Sequence, residues 1–153
     1  MPTPPVAVYD ANVLYLAQLR DLLMRLAVAD LVRAHWSDAI HDEWIRNLLD
    51  NRDDLTRAQL ERTRELMENA LPGASVSGYQ HREPNLTLPD PDDRHVLAAA
   101  VHAGAEWIVT FNLRDFPASV LDAYGIEAVD PDSFIAMLLH RSPEAERLTT
   151  GGN

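Results

Sequence analysis

Two short apolar runs, Val6-Ala7-Val8-Tyr9 and Trp107-Ile108-Val109-Thr110-Phe111, each stop at a polar residue and each give way to helical patterning. Both read as β-strands. Between them the apolar residues change period. Leu16, Leu19, Leu22, Leu23 and Leu26 recur every three or four residues, which predicts a helix from about Asn12 to Arg33. Ser37 is placed to cap a helix through Leu49, and Thr56-Arg57-Ala58-Gln59 fits a capping box opening a helix that Pro72-Gly73 stops near Leu71. A weak strand is expected at 74–77. Asp90-Pro91-Asp92-Asp93 is a helix start, with an acid at the cap and Pro in the first turn, and that helix closes on Gly104. A short helix ending at Gly125, a strand at 126–129 and a helix capped by Asp130-Pro131 complete the pattern. Short strands alternating with longer helices predict an α/β protein, with a small, mostly parallel sheet covered by helices on both sides.

At 153 residues one domain is expected, over 1–141, followed by a polar tail over 142–153. No apolar run approaches the roughly 18 residues of a membrane span. Met1-Pro2-Thr3-Pro4-Pro5 has no basic side chain of the kind that opens a secretory signal, so the reading is a cytoplasmic protein with no membrane partner. Cysteine is absent, which excludes disulfide scaffolds, thiolate zinc sites and cysteine nucleophiles. All 13 bases are arginine, and against 24 acids they leave a net charge of −11. Such a chain is a poor candidate for holding nucleic acid by a broad cationic face, since phosphate binding rests on neutralising charge. Any such substrate must be held locally, by metal ions or a few arginines.

Several acids occupy positions that a solvated helix face does not explain. Asp10 follows a strand at its C-terminal end, where open α/β sheets collect ligands. Glu43 is in register with Ile40 and beside Trp44, on the apolar side of its helix, whereas Asp42 lines up with Asp38 and Arg46 outside. Asp93 is in register with Val96, Leu97 and Ala100, and Asn112 and Asp115 follow the second strand. Each has an ordinary explanation alone, as a cap, a turn or the edge of an amphipathic face. Converged, they repel: two carboxylates about 4 Å apart cost on the order of 4 kcal/mol at an effective dielectric of about 20. With no lysine nearby, the remedies are a raised pKa or a bound divalent cation. Carboxylates with an amide and no soft donor form a ligand set for Mg²⁺ or Mn²⁺, and such sites perform phosphodiester chemistry.

Four blocks, Tyr9-Asp10-Ala11-Asn12-Val13-Leu14, Ser37 with Glu43 six residues on, Pro91-Asp92-Asp93-Arg94-His95-Val96-Leu97, and Val109-Thr110-Phe111-Asn112-Leu113-Arg114-Asp115-Phe116, stand in the order of the signature blocks of PIN-domain ribonucleases. The chain resembles the VapC-type toxins of that family from about Val6 to Phe134. The resemblance implies a three-layer α/β/α fold and a Mg²⁺- or Mn²⁺-dependent endoribonuclease of single-stranded RNA. It implies Asp10, Glu43 and Asp93 as catalytic acids and metal ligands, with Asn112 or Asp115 as the fourth. Asn12 and Ser37 would orient ligands or substrate, Asp92 would be an auxiliary ligand, and Arg46 and Arg114 would take phosphate. A small antitoxin protein and homodimerisation are implied as partners.

Two other functions fit parts of the pattern. A Mg²⁺-dependent phosphohydrolase with an aspartyl nucleophile usually carries an acid two residues after the first, where this chain has Asn12. A catalytically degenerate fold that only binds RNA or protein is favoured by Asn112 replacing an acid. The six histidines lack metal-ligand spacing. His95 borders the predicted cleft without an assigned role.

Overall fold

A computed structural model of the chain describes residues 3–143 and residue 147. The tail expected from Ser142 onward lies, apart from residues 142, 143 and 147, outside the described residues. Four strands, β1 (Val6–Tyr9), β2 (Arg33–His35), β3 (Trp107–Val109) and β4 (Glu127–Val129), form one sheet in the order β2-β1-β3-β4. Every pairing is parallel, with Val8 opposite His35 on one side and Ile108 on the other, and Ile108 opposite Ala128. The helices are α1 (Ala11–Leu14), α2 (Ala17–Val28), α3 (Asp38–Asn51), α4 (Arg57–Ala70), α5 (Arg94–Ala103), α6 (Ala118–Leu121) and α7 (Pro131–Arg141). Together they make three layers, α/β/α. Among the described residues no helix is long and apolar enough to cross a membrane.

The predicted helix 12–33 is two helices and a strand. Leu16 is extended, which breaks the first turn from α2, and the Arg20 guanidinium donates 2.7 Å to the Leu14 carbonyl left open there. Asp30 takes a left-handed conformation (φ 65°), and Leu31 N–H returns 3.0 Å to the Leu26 carbonyl, so α2 ends and Arg33 enters β2. The expected strand at 74–77 is a single parallel bridge from Ser75 to Trp36, at the edge of the sheet. The other boundaries follow the sequence. Thr56 and Gln59 close the capping box of α4, and Asp90 caps a 3₁₀ turn (Pro91–Asp93) that runs into α5. Gly104 at φ 68° lets Ala105 N–H reach the Ala100 carbonyl at 2.9 Å, a turn that would strain any residue bearing a Cβ.

The described core is one connected cluster. α5 packs on β1 and β3 through the wholly buried run Val96–Ala100, whose three consecutive alanines permit close approach. Phe134 of α7 meets Tyr9 and Trp107 edge-on and tilted, with ring centres 6.4 and 6.3 Å apart. α3 and α4 are tied by polar bonds as well. Trp44 donates its indole N–H to His41 Nδ1 at 2.9 Å, and an indole can only donate, so the His41 Nε2–H faces Glu68 Oε1 at 2.9 Å. Glu68 also accepts from the Trp36 indole at 2.6 Å and from Ser75 at 3.2 Å. Burial holds the His41 pKa below its usual value, in keeping with a neutral ring. Outside, Arg64 reaches from α4 to both Asp38 and Asp42 at 2.9 Å.

What positions a site is the strand order. The chain leaves β1 toward β2 on one side and β3 toward β4 on the other, so the connections diverge between β1 and β3. A crevice opens there, at the C-terminal ends of those two strands.

Candidate active site

Asp10 and Thr110 face each other across that crevice. Asp10 is 4% exposed, and its Oδ1 accepts from the Ala11 N–H at 2.8 Å, capping α1. Its Oδ2 accepts from the Thr110 hydroxyl at 2.9 Å and from the Asn12 amide at 3.3 Å. Thr110 Oγ1 in turn accepts from Asn12 Nδ2 at 3.1 Å and from the Asn112 N–H at 3.0 Å, so its one proton and both lone pairs are committed. Asn12 Oδ1 accepts from the Phe111 N–H at 3.1 Å. A ring of bonds thus fixes one carboxylate oxygen and locks two strand ends together. Burial raises the Asp10 pKa. The Thr110 and Ala11 hydrogen bonds oppose that rise, Glu43 adds to it, and His95 works against it.

Asp93 closes the 3₁₀ turn before α5 and is half-buried. Its pKa is pushed up to about 7, first by burial and then by the charges of Asp10, Asp115, Asp90 and Glu43. Four carboxylates therefore act on a fifth, although they come from β1, α3 and the segments after β3 and before α5. Glu43, half-buried on α3, stands 3.7 Å from His95 Nε2. Burial alone would lower the His95 pKa, but the Glu43 and Asp10 carboxylates outweigh it and the net shift is upward. His95 Nδ1 is buried with no hydrogen-bond partner among the described residues.

Of the remaining residues singled out from the sequence, only the side chain of Asp115 interacts with this group. Asn112 is exposed, while Asp115, in the 3₁₀ turn Leu113–Asp115, is half-buried; of the two, Asp115 is the one whose charge acts on Asp93. Asp92 is exposed and its N–H is held by Asp90 Oδ1. Ser37 is wholly buried, with its hydroxyl accepting from the Ile40 N–H at 3.2 Å as the cap of α3. Arg46 and Arg114 are exposed, and neither makes a hydrogen bond or ion pair among the described residues. Two members of the arrangement receive no role from the sequence. Thr110 reads simply as a strand residue, and only its place at a strand's polar end signals more. His95 reads as an isolated histidine, although it lies two residues beyond Asp93.

The donor set is all hard oxygen, and Asp93, raised first by burial and then by the neighbouring carboxylates, would be relieved by a positive charge, which fits a divalent cation. As placed, no three His, Asp or Glu side chains among the described residues are gathered closely enough to hold one ion. The fit is in chemistry and charge rather than in a closed ligand shell.

The sequence profile of the PIN domain matches residues 6–114, from the first residue of β1 to just past Asn112. The chain belongs to the PIN domain family. Asp10 and Thr110, bonded to each other just beyond β1 and β3 of this PIN domain, lie within the matched residues. A 55-residue segment is 51% identical to a Mycobacterium tuberculosis protein named "Putative ribonuclease VapC50", covering 36% of this chain. The aligned segment spans about a third (32%) of the length of that curated relative.

Proposed function

We propose that this PIN domain is a divalent-metal-dependent endoribonuclease of single-stranded RNA and the toxin of a toxin–antitoxin pair, acting in the cytoplasm. The observation that carries the reading is the crevice geometry, in which Asp10 is fixed by Thr110 and Asn12 between two strand ends and Glu43 stands 3.7 Å from His95; burial first, and these acids second, push the Asp93 pKa up. The 51% identity to part of a protein named a ribonuclease supports RNA as the substrate. A small antitoxin protein and a second copy of the chain are the proposed partners.

In this reading Asp10, Asp93, Asp115 and Glu43 hold Mg²⁺ or Mn²⁺, with Asp115 preferred to Asn112 because its charge reaches the cluster. When bound, the ion supplies Lewis acidity at the scissile phosphodiester and acidifies an attacking water. The chain's own residues supply orientation. Thr110 and Asn12 fix Oδ2 of Asp10, so that the carboxylate does not reorganise as charge develops. His95 faces Glu43 and keeps it turned toward the crevice. Arg46 and Arg114, uncommitted among the described residues, offer planar forks to flanking phosphates. Asp92 is an auxiliary ligand, and Ser37 acts by fixing the start of the helix that carries Glu43.

The test is incubation of the purified chain with mixed single-stranded RNA and Mn²⁺ or Mg²⁺. Cleavage is expected, abolished by chelation and reduced at least about 100-fold in Asp10→Asn and in Asp93→Asn. Full cleavage by both variants would remove these acids from the chemistry. Tight RNA binding with no cleavage would favour a degenerate binding module, the reading that Asn112 in place of an acid supports. Phosphate release from a small ester with RNA left intact would favour a phosphohydrolase.

A further inference from the structure

We infer that Phe111 is a stacking platform for an unpaired base of the nucleic acid substrate, an inference that rests on the proposed ribonuclease activity. Phe111 directly follows the buried Thr110 and yet is 47% exposed. Isolated exposed apolar residues are ordinary on protein surfaces, but three features set this one apart.

Its position is fixed by the site itself. The Phe111 N–H bonds to Asn12 Oδ1 and the next N–H, of Asn112, bonds to Thr110 Oγ1; Asn12 and Thr110 both bond to the Asp10 carboxylate. The ring is therefore carried on main chain that is registered to Asp10, and a rigid support is what a platform requires.

It stands outside the core, neither buried nor among the partly buried apolar side chains packed against the buried cluster. The other exposed apolar residue of the segment, Leu113, lines a separate cavity of about 270 Å³ with Phe116, Pro117, Leu121 and Ile126. Phe111 is not among the residues lining that cavity.

The charge of the chain favours such a contact. At −11 the protein repels a polyanion, and a divalent ion with Arg46 and Arg114 offsets only part of that charge. Stacking of a base on an aromatic face is indifferent to net charge and tolerant of sequence. It also needs a base whose face is free. In a duplex both faces are covered by neighbours, so a platform beside the crevice selects single strands.

The experiment uses the full chain with Mg²⁺ and two labelled 12-mers, one a mixed-sequence oligoribonucleotide without self-complementarity and the other the same backbone without bases. Affinity is read by anisotropy and cleavage by electrophoresis. Phe111→Ala is expected to weaken the base-bearing 12-mer by about 5- to 150-fold, the range for losing one stacked base. Phe111→Trp and Phe111→Tyr stay within about threefold of the parent, Phe111→Leu behaves like Phe111→Ala, and the abasic 12-mer binds all of them alike. In cleavage, the loss appears in KM rather than kcat. Unchanged affinity in Phe111→Ala, full rescue by Phe111→Leu, or an equal loss on the abasic 12-mer would each overturn the inference. If the parent binds the 12-mer and does not cut it, the nuclease reading falls while the binding series still decides the platform. If the parent does not bind, both fall.

Discussion

Replacing Asp93 by Asn should make the metal-free protein more stable, and only at high pH. With its pKa raised from 3.8 to about 7, Asp93 keeps a proton in the folded state that the unfolded chain has already released. Between those values folding takes up a proton, so stability falls as pH rises from about 4 to about 7 and the full deficit is present above 7. On a fully buried carboxyl the shift would correspond to about 4 kcal/mol. Asp93 is half open to water, which screens the repulsion and leaves a deficit of about 1–2 kcal/mol. Asp93→Asn keeps the shape and removes the charge. It should match the parent at pH 3, where Asp93 is protonated in the folded and the unfolded chain alike, gain about a third of its advantage by pH 5, and exceed the parent by about 1–2 kcal/mol at pH 8. Urea denaturation with a chelator present, followed by tryptophan fluorescence, would show the difference as a midpoint higher by about 0.5–1 M. A variant no more stable than the parent at pH 8, or one with the same gain at pH 3 and pH 8, would refute the reasoning.

Mn²⁺ at pH 8 should reverse that order, raising the melting temperature of the parent and not of Asp93→Asn, with saturable heat in calorimetry of the parent alone. Thr110→Val should keep the packing, leave Oδ2 of Asp10 with only the longer Asn12 bond and cost about 10- to 100-fold in RNA cleavage, read as a kcat loss, from a hydrogen bond to a charged group. Glu68→Ala should strip the acceptor from the Trp36 indole, the His41 ring and Ser75 and lower stability by about 2–3 kcal/mol in urea titrations. Ser37→Ala should cost about 0.5–2 kcal/mol by the same measurement, since it removes the cap of α3.

The parts of this fold that can be read from the chain are those whose cause is local. Asp10 and Asn112 are visible because an apolar run stops at each, and α4 and α5 are visible because their caps are written in adjacent residues. β2 is not. Arg33-Ala34-His35 is three residues long, continues a helical pattern, and is extended because Val6, Ala7 and Val8 lie alongside it. The α1–α2 break has the same character, since its open carbonyl is satisfied by Arg20 six residues on. Within the site, carboxylates announce themselves by being out of place on apolar faces. Thr110 and His95 do not. A threonine is an ordinary strand residue and a histidine an ordinary helix residue until Thr110 meets Asp10 one hundred positions away and His95 meets Glu43.

The pairing of β1 with β3 sets when this site can exist during synthesis. Ala7, Val8 and Tyr9 find Trp107, Ile108 and Val109 only after about a hundred intervening residues have been made, and closing so long a loop is slow. Until then β1 has an open edge, Asp10 lacks the Thr110 hydroxyl, and Asp93 has no Asp115 beside it. A nascent chain shorter than β3 carries most of the acids and none of their arrangement. Only a chain extending past Phe116 can assemble the crevice, so the site forms as a single late unit rather than acid by acid as the chain emerges.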